Sequence, residues 1–364
     1  MTRPRRVLVT PRDPNPYQQL LYGALEARGW DVHYCDGPSA SQTVNVLAKP
    51  FMLAWHRARG FRLLHVHWIY DFSVPWARSS DIAKWLLHIW FRAYLLVARA
   101  LGIRIVWTAH NLIPHDKVFA DDRGARRTLV GEAQAVIALS AASVVELASI
   151  GAQDVRVIPF GAYGNGHNTP EVSSAARCAL GLRHDDFVVV FVGRVERYKG
   201  VLDLIAAIPR IDTRRRVRVL VGGECRDADL RSELEAAVGD ETCCRLRLDW
   251  LSDSDLENYL HAADVAVFPF HAVTNSSSVV LALCHGVPVV VPSLQSLSDI
   301  PRSCGIWYDG SDTDGLANAL GRAAHLTDQQ TLMMRSSALH YCASLDWDVV
   351  GIATERVYEE VLNR

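Results

Sequence analysis

Much is missing from this sequence, and each absence excludes something. The eight cysteines (Cys35, Cys178, Cys225, Cys243, Cys244, Cys284, Cys304 and Cys342) never fall at Cys-x-x-Cys spacing, and a vicinal pair is poor metal geometry. They read as reduced thiols of a cytoplasmic protein. No apolar leader follows Met1, and a strand pattern starts almost at once. The longest apolar run, "WLLHIWFRAYLLVARAL" (85–101), carries His88, Arg92 and Arg99, so it is too short and too charged to span a bilayer. Neither charge sign dominates: 38 Lys and Arg face 40 Asp and Glu, which gives no general attraction to nucleic acid. The basic runs at 3–6 and 214–216 are short and read as solvated faces. No Asp-x-Asp pair stands at a strand end, so no metal or other cofactor is expected; "SDSD" (252–255) reads as helix caps.

What the sequence has is core. The chain is 364 residues long and 49% hydrophobic, enough for two domains of ordinary size. Short β-rich runs at 5–10, 31–36, 63–68, 103–110, 135–140 and 155–161 alternate with helical patterns such as Gln18 to Arg28 and Ala141 to Ser149. A second set follows at 187–194, 216–223, 245–250, 265–270, 287–292 and 305–309. Continuous Val, Ile and Leu strands between helices predict parallel sheets covered on both faces. Between the sets, "GAYGNGHNTPEVSS" (161–174) has linker composition. The expected fold is α/β: two doubly wound Rossmann-like domains, 1–163 and 175–344, facing one cleft. In such sheets ligands bind beyond the carboxyl ends of the strands, so the residues just after strands carry the interest.

Three such places stand out. "GRVERYKG" follows the first strand of the second domain and sets Arg194 and Lys199 between Gly193 and Gly200, an arrangement suited to an anion. "TNSSS" opens a helix with Thr274, Asn275, Ser276, Ser277 and Ser278, although one side-chain oxygen suffices for a cap. Free amides and small hydroxyls at a helix start also suit an anion. In the first domain, "HVHWIYDF" (65–72) and "WTAHNLIPHD" (107–116) put His67, Asp71, His110, His115 and Asp116 at or near strand ends. "TPRDPNPYQQLLYGAL" (10–25) adds Asp13 and Tyr17 in the segment that follows the first strand. The helix at 85–101 has two readings, a packed core helix or one whose Trp and Phe side touches a membrane or a lipid-linked substrate.

The chain resembles the GT-B glycosyltransferases, in particular the family-4-like group that uses nucleotide-diphosphate sugars. The resemblance rests on "FVGRVERYKG", "ADVAVFPF", "ALCHGVPVVVP" and the closing "LDWDVVGIATERVYEEVL" (345–362). It implies that Gly193, Arg194 and Lys199 hold the donor diphosphate, and that the final helix (345–364) crosses back to the first domain. It implies donor-sugar contact for His110, and places His67, His115, Asp13 and Tyr17 on the acceptor side. The family's two usual glutamates are replaced by Val273 and Leu281, so Asn275, Ser276, Ser277 and Ser278 are expected to serve the donor instead. That replacement points away from retention and towards an inverting, β-linkage-forming transfer. Its base would come from Asp116, Asp71, Asp13 or His110, with Asp116 first. The expected function is transfer of a sugar from a nucleotide diphosphate to a hydroxyl acceptor at, or free of, the inner face of a membrane. Two alternatives share these residues: a catalytically inactive sugar-nucleotide-binding protein and a GT-B sugar-nucleotide epimerase.

Overall fold

The computed structural model describes residues 5–13, 16–37, 39–77, 79–110, 117–164, 168–239, 243–273 and 276–364. The chain forms two compact units, one of Met1–Gly161 with Asp346–Arg364 and one of Ala162–Leu345.

The first unit runs β1 (Arg6–Thr10), α1 (Pro16–Ala27), β2 (Asp31–Tyr34), α2 (Gln42–Ala58), β3 (Leu63–Val66), α3 (Asp81–Ala100), β4 (Arg104–Ala109), α4 (Asp122–Glu132), β5 (Ala135–Ala138), α5 (Ala141–Ser149) and β6 (Val155–Val157). Its six strands are ordered β2-β1-β3-β4-β5-β6, all parallel. The second unit continues α6 (Pro170–Ala179), β7 (Phe187–Val192), α7 (Val201–Ala207), β8 (Val217–Gly222), α8 (Ala228–Val238), β9 (Cys244–Arg247), α9 (Asp253–Ala262), β10 (Val265–Val267), α10 (Ser277–Cys284), β11 (Val289–Pro292), β12 (Gly305–Tyr308), α11 (Gly315–Ala324) and α12 (Asp328–Ala343). Its order is β12-β11-β10-β7-β8-β9, again parallel. Order reverses between β10 and β7, and the residues beyond those two strands sit at a switch point.

All six residues of β7 are buried, as a parallel strand covered on both faces requires. Every expected strand is present, and several end earlier than expected: the second at Tyr34, the sixth at Val157 and the seventh at Val192. The apolar pattern runs on into loops that still pack, although the ladder has ended. The linker reading of 161–174 is corrected at its far end. Thr169 accepts from the Val172 amide at 3.3 Å and Pro170 fills the first helical position, so α6 begins inside it. The 85–101 helix likewise starts sooner, at Asp81, because Ser80 caps it by accepting from the Ala83 amide.

The last helix, α13 (Trp347–Asn363), belongs to the first unit and packs on α1. Its Val350, Val357, Tyr358 and Val361 join the β1 and α1 core. Glu355, buried to 5%, holds it there. Its carboxylate accepts from Arg5 at 2.6 Å, from Arg28 at 2.5 Å and from the Trp30 indole at 3.2 Å. Both arginines stay partly in solvent, which screens the pairs. We expect Glu355→Ala to destabilise this unit by about 1–3 kcal/mol, since it strands the Trp30 donor, takes the Arg28 partner and leaves Arg5 with Glu359 alone. Calorimetry checks this, and an unchanged first transition would remove Glu355 from the account.

Candidate active site

In the second unit, three strand ends are drawn together by backbone contact. After β7 the chain turns at Gly193 with φ +119°, and a Cβ there would lie 2.4 Å from Ser278 Oγ. After β8, Gly223 has φ +147°, and its Cβ would lie 2.0 Å from the Gly193 carbonyl oxygen. Gly200, φ +71°, lies so close to the Pro269 carbonyl that a Cβ would come to 2.0 Å. The His271 amide then donates to the Tyr198 carbonyl at 2.8 Å. Only glycine tolerates this combination of φ and contact. The outcome is that "GRVERYKG" and the start of α10 adjoin.

The three cations of that loop divide by role. Arg197 forks onto Glu233 at 2.8 Å and 2.8 Å and reaches Asp227 at 3.3 Å, a structural pairing. Arg194 is half exposed and, among the described residues, pairs with Glu196 at 3.7 Å. Lys199 is pushed down to about 8, mainly by burial; the Arg194 charge acts the same way and Glu196 opposes it. A part-buried ammonium beside a second cation is relieved by an arriving anion.

The crowding at α10 resolves into separate tasks. Ser276 is the cap and accepts from the Val279 amide at 3.3 Å. Ser278 meets Gly193, and Ser277 is exposed on the first turn. Thr274 and Asn275 lie outside the described residues. Val273 and Leu281 pack against the core of the unit. A cavity of about 580 Å³ also lies in this unit, lined by Asp203, Arg210, His271, Pro292 and Tyr308 among others. Arg194, Lys199 and the serines take no part in its walls, and the strand-end geometry, not the cavity, marks the site.

In the first unit, the ends of β1, β3 and β4 hold the other cluster. His110 is 6% exposed, stacks on Trp68 with centroids 4.2 Å apart, and receives the edge of Tyr17 at 4.7 Å. Its Nε2 lies 2.9 Å from His67 Nδ1. His67, expected on the acceptor side, is 1% exposed and stands behind His110. Tyr17, expected there too, is 1% exposed and packs against Phe160 and Trp347. Both lie inward: Tyr17 is on the buried face of α1, and His67, just beyond β3, is surrounded by Tyr17, Tyr22 and Trp68. Asp71, second choice as base, instead pairs with Lys49, a 3%-exposed ammonium that also donates to Thr10 Oγ1 at 3.2 Å. Asp13 accepts from the Tyr70 hydroxyl. His115 and Asp116 lie outside the described residues. Sequence reasoning missed Tyr22, His65, Lys49 and Tyr358. The i, i+2 pair His65 and His67 was a usable signal, since both side chains leave one face of a strand. Among the described residues no group of three or more His, Cys, Asp or Glu is placed to hold a metal.

Comparison with known proteins agrees with this fold. Residues 186–325 match the family model described as Glycosyl transferases group 1. The chain is 26% identical to the D-inositol 3-phosphate glycosyltransferase of Streptomyces scabiei over 98% of this chain and 78% of that one. Sucrose-phosphate synthase from Thermosynechococcus elongatus superposes with a TM-score of 0.72 at 18% identity, covering 98% of this chain and 99% of that one. Anabaena Alr3699/HepE in complex with UDP-glucose gives a TM-score of 0.70 at 17% identity, covering 97% and 99%. The chain has the GT-B fold, and residues 186–325 of its second unit match the Glycosyl transferases group 1 domain.

The depressed Lys199 pKa fixes a sign for ligand binding. Its charged form attracts the anion, and the free protein loses that charge as pH rises through about 8. We expect affinity for a nucleoside diphosphate to be full below that pH and to fall above it, and Lys199→Arg to remove the fall. Lys199→Ala costs about tenfold at neutral pH, the worth of one charge-assisted contact. Titration calorimetry from about pH 7 to about pH 9 checks this; affinity independent of pH in the wild type contradicts it.

Proposed function

We propose that the protein transfers a sugar from a nucleotide-diphosphate donor to a hydroxyl acceptor, without a metal and with inversion. The observation that carries this reading is the junction of Arg194, Lys199 and the α10 start. Two cations and a helix N-terminus meet there without the structural pairing that occupies Arg197. Together they suit a leaving diphosphate, whose charge they stabilise without a metal. Relatives of the same fold bind UDP-glucose, which supports a donor of that class.

Inversion is supported by the two apolar residues, Val273 and Leu281, at the positions where the family resemblance expects carboxylates. With no acid there, in-line attack assisted by a base is the simpler chemistry. Asp116 is the proposed base. Asp71 is set aside because its carboxylate serves Lys49. Proton NMR coupling constants of the product read the anomeric configuration. A β-product from an α-linked donor, with turnover lost in Asp116→Asn, is the expected pair of results. An α-product overturns inversion, and normal turnover in Asp116→Asn overturns the base. Donor affinity without any turnover would favour the inactive binder.

The proposed acceptor is lipid-linked or otherwise apolar, met at the inner face of a membrane by a cytoplasmic enzyme. No helix among the described residues is long and apolar enough to cross a bilayer. Instead α2 and α3 each turn an apolar stripe outward: Val44, Leu47, Phe51 and Trp55 on one, Ile82, Trp85, Leu86 and Ile89 on the other. The helices lie side by side, with the Trp90 indole donating to the Val46 carbonyl at 2.9 Å and Arg57 to the Leu101 carbonyl at 2.8 Å. Asp81 is the sole carboxylate in their sequences, while Arg92 and Arg99 are exposed. Apolar, aromatic and acid-poor, this face suits anionic lipid. Trp90 is tied inward, so Trp85 and Phe51 are the residues to change. Co-sedimentation with vesicles containing anionic lipid is expected for the wild type and reduced about tenfold or more in Phe51→Glu/Trp85→Glu, two large apolar groups being lost. Equal sedimentation of both would return the face to another role.

A further inference from the structure

Cys284 closes α10, and Cys342 stands last but one in α12, the helix packed against it. Their sulfurs are 3.0 Å apart. Both are free thiols, 4% and 7% exposed, in the core of the second unit. A buried cysteine ordinarily serves as a small apolar residue, with its sulfur among carbon neighbours. Here two sulfurs face each other across a helix contact. Their separation is shorter than an ordinary contact between thiols, and only about 1 Å longer than a disulfide bond. Cys304 also lies near enough to Cys342 to act on its charge. Among the described residues, however, it has no hydrogen bond to either sulfur.

The pair is chemically uneven. A hydrogen bond from the Cys342 thiol holds the Cys284 thiol below its usual range; burial opposes this, and a Tyr163 backbone hydrogen bond assists it. Cys342 is raised, first by Cys284 and then by burial. Cys284 therefore loses its proton first, while Cys342 keeps an S–H to share with it. The thiolate is the nucleophile in thiol oxidation, and a second thiol in contact with it resolves the product.

We propose that Cys284 and Cys342 form a modification site, a dithiol that a peroxide closes to a disulfide between α10 and α12. The Cys284 thiolate attacks one oxygen of hydrogen peroxide, and the O–O bond breaks. The departing hydroxide takes up the proton that Cys284 lost and leaves as water, and Cys284 becomes a sulfenic acid. The Cys342 sulfur then attacks the Cys284 sulfur and the S–O bond breaks. This second hydroxide takes the Cys342 proton and leaves as water. The two thiols give up two electrons in all, and one peroxide is reduced to two waters. The new bond closes a loop of 58 positions and fastens the far end of the helix whose first turn meets Gly193. No ligand enters the step, so it stands apart from the reading of the donor site.

The full chain is treated with hydrogen peroxide, alkylated under denaturing conditions and mapped as peptides without reductant. A Cys284–Cys342 linked pair, two hydrogens lighter than its parts, is expected, and dithiothreitol should return it to free thiols. Cys178→Ser removes an exposed thiol that could join two chains, and should leave the link intact. The oxidised form should melt about 5–15 °C above the reduced form, since the link constrains the unfolded chain. Cys342→Ser removes the resolving thiol and should leave a sulfenic acid on Cys284 that dimedone traps. Recovery of both cysteines as alkylated thiols, after peroxide has consumed Cys178 in the wild type, overturns the proposal and needs no variant to fold. A link from either cysteine to Cys304 in place of the expected one overturns it too. A link without a rise in melting temperature means that the fold must distort to form it, and overturns a built site. No dimedone adduct on Cys284 overturns its role as the attacking thiol.

Discussion

The contact between the chain after β7 and its neighbours governs the second unit. Gly193, Gly200 and Gly223 lie where any Cβ would strike Ser278, the Pro269 carbonyl or the Gly193 carbonyl. All three also have φ in the region that glycine tolerates and other residues rarely adopt. This close approach sets Arg194 and Lys199 beside the first turn of α10, and the buried strands beneath give the loop a fixed base. It also explains the division among cations. Arg197 is anchored on Glu233 and Asp227, which holds the loop in place, while its two neighbours remain available for an anion.

The first unit works by a different constraint, which is burial. Its strand-end histidines are held neutral and are bonded to tyrosines from α1 and α13. The C-terminal helix is therefore more than a strap. It supplies Glu355 to the N-terminal arginines and Tyr358 to the histidine chain, so residues more than 290 positions apart meet beside β3. Lys49 shows the same logic in ionic form: a buried ammonium is tolerable because Asp71 and Thr10 receive it.

The fold was legible because parallel strands buried on both faces are long apolar runs, and runs such as "FVVVFV" have few other readings. Strand ends were less legible, since apolar residues in packed loops extend the same pattern. The tight turns at Gly193 and Gly200 around Arg194 and Lys199 were legible, since residue type and position after a strand agree. The burial of Tyr17 and His67 and the pairing of Asp71 with Lys49 were not legible, because sequence shows where a residue stands relative to a strand, and not which way its side chain turns. Tyr22 and Tyr358 were illegible as a pair, since nothing local links two tyrosines on helices at opposite ends of the chain.

The account's central claim is that the donor diphosphate is held by Arg194, Lys199 and the start of α10. A crystal structure of the protein with a nucleoside diphosphate tests it most directly. The account predicts phosphate oxygens within hydrogen-bonding distance of Lys199 Nζ, the Arg194 guanidinium and the amides or hydroxyls of Ser277 and Ser278. A diphosphate seated instead in the cavity between Asp203 and Tyr308, with Lys199 untouched, would contradict it.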